Sequence, residues 1–361
     1  MKKVIVFGTG KLSKVLEDSI NKNVEIIAYA DNDRTKWGSV HNDKIVIQPN
    51  NILNYDFDYI LIGSQFNEEI YTQLLNFGID NEKIFEFGNF LDFGWDYVRY
   101  SIDCALCSKG EIETLVTGIS YSYCGLDINS YKKNAYNLAN VSQDLFYDYN
   151  LVKFLLENNK FENLKEVIIG LCYYSFQYDM SSSGMKSKCA LYYKNIKVKH
   201  NYINVEKFSD NIDKNNRIAN KIFSFYDTGN AMINWGVCEN KYTIDDGIGK
   251  WQADLDCNKE YPKTVEENIC IFKNYLKFLK DKNIKPVVVV FPASKHYTQY
   301  FSDRIENEFH EIINMVRKEY DFQYIDYFKS NLFEDNDFKD VSHLNLYGAK
   351  KFTEILNEII V

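Results

Sequence analysis

Two series of short apolar runs, each interrupted by stretches of helical period, constrain this chain more than any other feature. In the first series Lys3–Phe7, Val24–Tyr29, Tyr59–Ile62 and Lys83–Phe87 read as strands, with helical stretches at Leu12–Ile20 and Asn67–Phe77. In the second, Leu115–Ile119, Ala135–Leu138, Val167–Gly170, Val287–Phe291 and Phe322–Ile325 are strands, and Val265–Leu279 reads as a crossover helix. Strands that alternate with helices pair in parallel, because a parallel connection must run back across a face of the sheet. The expected fold class is α/β, with one doubly wound sheet following another.

The length of 361 residues suits two domains, since one compact unit usually holds about 100 to 200 residues. The sequence divides into a first domain over 1–88, a connecting helix over 89–112 and a second domain over 113–361. The connector contains Phe93-Gly-Trp-Asp-Tyr-Val-Arg-Tyr100 and is too aromatic for a flexible linker. An interval of about 180–262 exceeds what a crossover needs and reads as an insertion. It carries Ser181-Ser-Ser-Gly184, Trp235 and Trp251, which suit either a lid or sugar-binding cap, or a peripheral decoration that buries its tryptophans.

A net charge of −9 without a dense Lys/Arg block argues against nucleic acid as a partner. No apolar run approaches the roughly 20 residues of a membrane span, and the N-terminal run is shorter than a signal peptide's core. A cytoplasmic location is the expectation. Eight cysteines spread through such a chain are expected to stay reduced, and the one CxxC, Cys104 to Cys107, lacks the second ligand pair of a zinc site. No metal is expected.

Gly8-Thr-Gly10-Lys-Leu-Ser13 joins the first strand to the first helix, where backbone N–H groups can receive a phosphate. Asp31 ends the second strand, at a spacing suited to a ribose hydroxyl. On these residues the first domain resembles the small Rossmann-like N-terminal domains of bacterial sugar-modifying enzymes, including sugar O-acyltransferases. The resemblance implies a nucleotide, nucleotide sugar or NAD held by Gly8, Gly10, Ser13 and Asp31, with Ser13 standing where a third glycine is usual.

The stretch Thr114-Leu-Val-Thr-Gly-Ile-Ser-Tyr-Ser-Tyr-Cys-Gly-Leu-Asp127 places Ser120 just beyond a strand, at the edge where parallel sheets bind ligands. Ser122 and Cys124 are weaker nucleophile candidates, and a serine needs a base to take its proton. Of the five histidines, His41 belongs to the first domain, His310 falls on an amphipathic helix, and His200 and His296 lie elsewhere in the second. His343 occurs in Asp340-Val-Ser-His343-Leu-Asn-Leu-Tyr-Gly348, so Asp340 can fold back onto Nδ1 and leave Nε2 for a nucleophile.

A serine after the first strand, with Asp-x-x-His before a final helix, resembles the SGNH/GDSL hydrolase superfamily over roughly 113–361. That resemblance implies a flavodoxin-like α/β/α domain, with Ser120 as nucleophile, His343 as base and Asp340 as its orienting acid. It also implies oxyanion donors from a glycine amide and an asparagine side chain. Here Gly170-Leu-Cys172-Tyr173 lacks the asparagine, and Ser142 or Gln143 stands near the glycine's place; Asn137, Asn140, Ser142 and Gln143 are the candidate donors. The expected function is acyl transfer or ester hydrolysis on a carbohydrate or surface-glycan precursor, with no cofactor needed for the acyl step. The alternative is a nucleotide-sugar- or glycan-binding assembly protein that has lost catalysis. Either reading allows a homo-oligomer.

Overall fold

A computed structural model describes residues 1–94, 96–223 and 243–360. Trp235 lies outside the described residues. The strands are β1 (Lys2–Phe7), β2 (Val24–Ala30), β3 (Val40–His41), β4 (Lys44–Ile47), β5 (Tyr59–Ile62), β6 (Ile84–Glu86), β7 (Thr114–Gly118), β8 (Ala135–Asn137), β9 (Glu166–Leu171), β10 (Lys285–Val290) and β11 (Gln323–Asp326). The helices are α1 (Lys11–Ser19), α2 (Asn67–Asn76), α3 (Phe87–Phe93), α4 (Tyr97–Cys107), α5 (Ser120–Gly125), α6 (Leu145–Asn158), α7 (Cys189–Ile196) and α8 (Val205–Ile222). They continue as α9 (Asp246–Cys257), α10 (Pro262–Asp281), α11 (Lys295–Thr298), α12 (Asp303–Arg317) and α13 (Leu346–Ile359).

Contacts divide the described residues into two units, one within Met1–Asp96 and Glu206–Glu239, the other within Tyr97–Val205 and Asn240–Val361. The boundary falls after residue 96 rather than 88, and α4 belongs with the second unit. Both units are α/β, as the alternation of runs requires.

The first sheet has the order β3-β4-β2-β1-β5-β6. Its four longer-range pairings are parallel, and β3 joins β4 as an antiparallel hairpin. Sequence reading missed that hairpin. Its turn is Asn42-Asp43 with φ of 46° and 60°, the left-handed pair that a two-residue hairpin demands, so Asn-Asp between apolar runs was the available signal.

One face of this sheet is completed from far along the chain. Ile218, Ala219, Ile222 and Phe223 pack into the same core as Val4, Val6, Leu61 and Phe85, so α8 supplies a layer helix. This segment of the insertion is therefore wall rather than lid for the first unit. Phe223 stacks on Phe90 at 5.8 Å and meets Phe85 edge-on at 5.5 Å. Trp251, on α9, is 61% exposed.

The second sheet runs β11-β10-β9-β7-β8, all parallel. Numbered within the sheet this is 2-1-3-4-5, the flavodoxin-like order, and its topological switch lies between β7 and β9. The residues of β7 and β9 are buried throughout, which is why they read as unbroken apolar runs. Among the described residues no helix is long and apolar enough to cross a membrane.

Candidate active site

The chain leaves β7 through Gly118, whose φ of +133° lies in a region that side chains rarely adopt. A Cβ there would also lie 2.6 Å from the Gly170 carbonyl oxygen of β9. The sharp exit delivers Ser120 to the first turn of α5, with Ile119 as the preceding cap residue. The Ser120 N–H, at the first helical position, has no preceding turn to bond into.

From the other end of the chain, Phe338 and Leu344 form an antiparallel bridge that closes the loop carrying Asp340 and His343. Asn345 caps α13 by accepting from the Tyr347 and Gly348 amides. Gly348 is needed at that turn, because a Cβ would approach the Asp337 carbonyl oxygen to 2.1 Å. These contacts fix where the loop can point.

The loop points at the serine. His343 Nε2 lies 2.7 Å from Ser120 Oγ, and its Nδ1 lies 2.9 and 3.0 Å from the two Asp340 oxygens. With Nδ1–H given to the carboxylate, Nε2 is left to accept from the hydroxyl. The Ser342 and His343 amides each donate to Asp340 Oδ1 at 2.9 Å. Burial works against ionising Asp340, but the His343 contact and these amides outweigh it and hold the carboxyl below its usual range. Tyr121 lies under the imidazole with ring centroids 5.1 Å apart, which limits its tilt.

The weaker nucleophile candidates are elsewhere. The Ser122 hydroxyl is fully buried, and its oxygen packs where a Cβ on Gly170 would be. Cys124 takes a contact from Lys339 Nζ at 3.3 Å, and burial raises its thiol above the ordinary value.

The four oxyanion candidates lie at the end of β8 and in the loop between it and α6, and differ in what their groups are doing. Asn137 Nδ2 donates to the Ser122 carbonyl at 3.1 Å while its Oδ1 accepts from the Ala139 amide, so it braces the loop. Gln143 is buried; its Nε2 donates to Asp148 at 2.6 Å and to the Leu138 carbonyl at 3.2 Å, and its Oε1 accepts from Tyr192. Ser142 has φ +68°, the left-handed backbone expected where a glycine is usual. The Asn140 N–H donates to the Gly118 carbonyl at 3.2 Å, and its Oδ1 accepts from the Val141 amide. Its Nδ2 makes no hydrogen bond among the described residues. In the loop after β9, Cys172 receives its partner from Ser175, whose Oγ accepts the Cys172 amide at 2.8 Å, and burial pushes the thiol up to about 12.

The remaining histidines are engaged otherwise. His200 is buried against Asp179 at 3.1 Å and stacks on Phe146, and Asp144 lies in the same cluster. The carboxylates there already accept the Tyr147, Met180 and Ser181 amides, so the cluster is a cap and loop brace. His296 sits between Asp246 and Asp335, and His310 Nε2 meets Asp326 at 3.0 Å. His41 pairs with Glu17 in the first unit.

In the first unit, Gly8 has φ +106° and Gly10 caps α1. The Ser13 hydroxyl donates to the Gly8 and Gly63 carbonyls, and a Cβ on Gly63 would lie 2.9 Å from Ser13 Cα. Gly63 thus supplies the close helix-to-strand approach that the third glycine otherwise allows. Asp31 accepts from Thr9 Oγ1, Lys36 Nζ and the Asp33 amide at 2.7, 2.9 and 2.9 Å. Burial raises its pKa, but these donors prevail and keep it low. Any ribose hydroxyl at Asp31 has to compete with them.

A family model described as C2185-like, N-terminal, matches residues 1–85. No curated protein gives a significant match. Similar solved structures include one described as "a putative platelet activating factor from Streptococcus pneumonia", with 9% identity, a TM-score of 0.43, and coverage of 81% of this chain and 100% of its own. A likeness that slight supports no statement about activity.

Proposed function

We propose that the chain is a serine-dependent acyl-transfer enzyme of SGNH type, acting as an esterase or O-acyltransferase on a carbohydrate or surface-glycan precursor. The single observation that carries this reading is the Ser120 Oγ to His343 Nε2 distance of 2.7 Å, between side chains 223 positions apart, with Asp340 on the far nitrogen. Ser120 attacks an acyl carbonyl as His343 takes its proton, and Asp340 stabilises the imidazolium. His343 then returns the proton to the leaving oxygen. The acyl-enzyme passes its group to water or to a sugar hydroxyl.

The oxyanion is held in this reading by the Ser120 N–H and the uncommitted Asn140 Nδ2, which replaces the asparagine absent after β9. The carbohydrate assignment, the cytoplasmic location and a nucleotide-type ligand at Gly8, Gly10, Ser13 and Asp31 rest on the sequence resemblance. A fluorophosphonate probe tests the enzyme reading: wild type is labelled, whereas Ser120→Ala and His343→Ala are not.

The second reading is a nucleotide-sugar- or glycan-binding assembly protein without catalysis. The observation favouring it is that the Gln143 and Asn137 amides are already committed, which thins the set of oxyanion donors. Folded wild type that resists the probe throughout about pH 6 to 9 supports this reading.

A further inference from the structure

We infer that Asp148 is a positioning residue for the nucleophile loop: from inside α6, its carboxyl group ties Gly118, two residues before Ser120, to Gln143 on the neighbouring strand-end loop. This role rests on the acyl-enzyme reading above. Asp148 Oδ1 accepts from the Gly118 N–H at 2.9 Å and from Gln143 Nε2 at 2.6 Å. The Gly118 carbonyl accepts from the Asn140 N–H at 3.2 Å. The peptide groups on both sides of the Gly118 Cα are thereby fixed to the loop that carries the oxyanion candidates. A glycine at φ +133° has little intrinsic preference for that conformation, so external bonds must select it.

The carboxyl group is only 2% exposed and sits on an otherwise apolar stripe of α6 with Leu145, Leu151, Val152 and Leu155. An acid on a core-facing stripe has no packing reason to be there. The titratable groups around it are Asp144 on its own helix, Tyr192 from α7, Tyr275 from α10, and Cys172 and Tyr178 across a small shared cavity. None of these is a cation. Burial, the largest influence, pushes Asp148 up to about 8, against the opposing Gln143 and Gly118 bonds. The neutral acid braces Gly118, two residues before Ser120, without adding a negative charge there. Once ionised, it opposes the negative charge that the acyl-transfer transition state develops at the substrate of Ser120.

The test is the pH dependence of fluorophosphonate labelling in the full chain. In that reaction the Ser120 Oγ–P bond forms, the P–F bond breaks, fluoride leaves and His343 receives the serine proton. The maximal labelling rate of wild type should fall above about pH 8, where the acid ionises. Asp148→Ala should lower that rate about tenfold or more with the probe's apparent affinity nearly unchanged, because a displaced nucleophile loses attack geometry rather than binding. Asp148→Asn keeps the acceptor and cannot ionise; it should recover most of the rate and abolish the alkaline fall. Labelled wild type with an unaffected Asp148→Ala, or an alkaline fall that persists in Asp148→Asn, overturns this role alone. Folded wild type that never labels removes the acyl-enzyme reading and this role together.

Discussion

Gly170 lies so close beneath Ser122 that a Cβ on the glycine would come within 1.6 Å of the serine Oγ. The contact joins β9 to α5 two residues after Ser120, and Phe291 closes on the same glycine, with a Cβ-to-ring distance of 2.9 Å. Ser122 and Ser120 share the short helix α5, so displacing one strains the backbone that carries the other. Gly170→Ala is therefore expected to destabilise the second unit by about 1–3 kcal/mol through overpacking. It should also slow Ser120 labelling in molecules that remain folded. Urea unfolding and probe kinetics on the same preparation check both; an unchanged unfolding midpoint would contradict the contact.

Asp340 offers a test with a definite sign. Its folded pKa is held down, chiefly by His343 once burial is overcome, so its contribution to stability is present above the unfolded carboxyl value and is lost as pH falls through the folded one. Asp340→Asn should flatten the acid side of the stability profile of the second unit. Labelling should drop by about 10³- to 10⁴-fold, because an amide at this place favours the wrong imidazole tautomer. A variant with a flattened profile but full labelling would separate the ion pair from the chemistry.

Asn140 carries the oxyanion proposal. Asn140→Ala removes Nδ2, and with it the Oδ1 that accepts the Val141 amide, but keeps the backbone N–H that bonds the Gly118 carbonyl. Ester turnover should fall about 100- to 1000-fold in kcat with little change in KM, the pattern of a donor used in the transition state. Asn137→Ala, by contrast, loosens the loop through Ser122 and should lower thermal stability as well.

Much of this arrangement was legible in the sequence, for identifiable reasons. Buried parallel strands leave apolar runs, so β7, β9 and β10 stood out, and an acid three residues before a histidine can reach it without help from the fold. Ser120 was readable because a glycine at a strand end announces a turn. Asp148 does not stand out in the sequence, since an acid in the first turn of a helix normally favours the dipole and faces water. Its place on the apolar stripe was the unused signal. The destination of α8 was also hidden: its amphipathic period shows that one face is buried, and says nothing about which sheet receives it. Ser13 in the third glycine's place was visible, but the compensating approach of Gly63, fifty positions away, depends on the folded register of β5.

The attachment of α8 to the first unit has an energetic signature at Glu86 and Lys214. Their side chains are only 3% and 2% exposed, with Oε2 and Nζ 3.7 Å apart. Burial raises the Glu86 pKa and lowers that of Lys214, so each charge is tolerated mainly because the other is present. Lys214 also donates to Asn81 Oδ1 and lies 5.0 Å from the centre of the Tyr71 ring. Lys214→Met keeps the stem but leaves the buried Glu86 carboxylate with only the neutral amide donors of Asn67, Asn89 and Asn211, and should cost about 3–5 kcal/mol at pH 8. The loss should shrink toward pH 5, because Glu86 without its cation takes up a proton more readily than a solvated carboxyl. Adding Glu86→Gln should restore much of the loss and remove its pH dependence. If instead the single variant unfolds like wild type at both pH values, the ion pair contributes nothing to the attachment of α8, which then rests on Ile218, Ala219 and Ile222 alone.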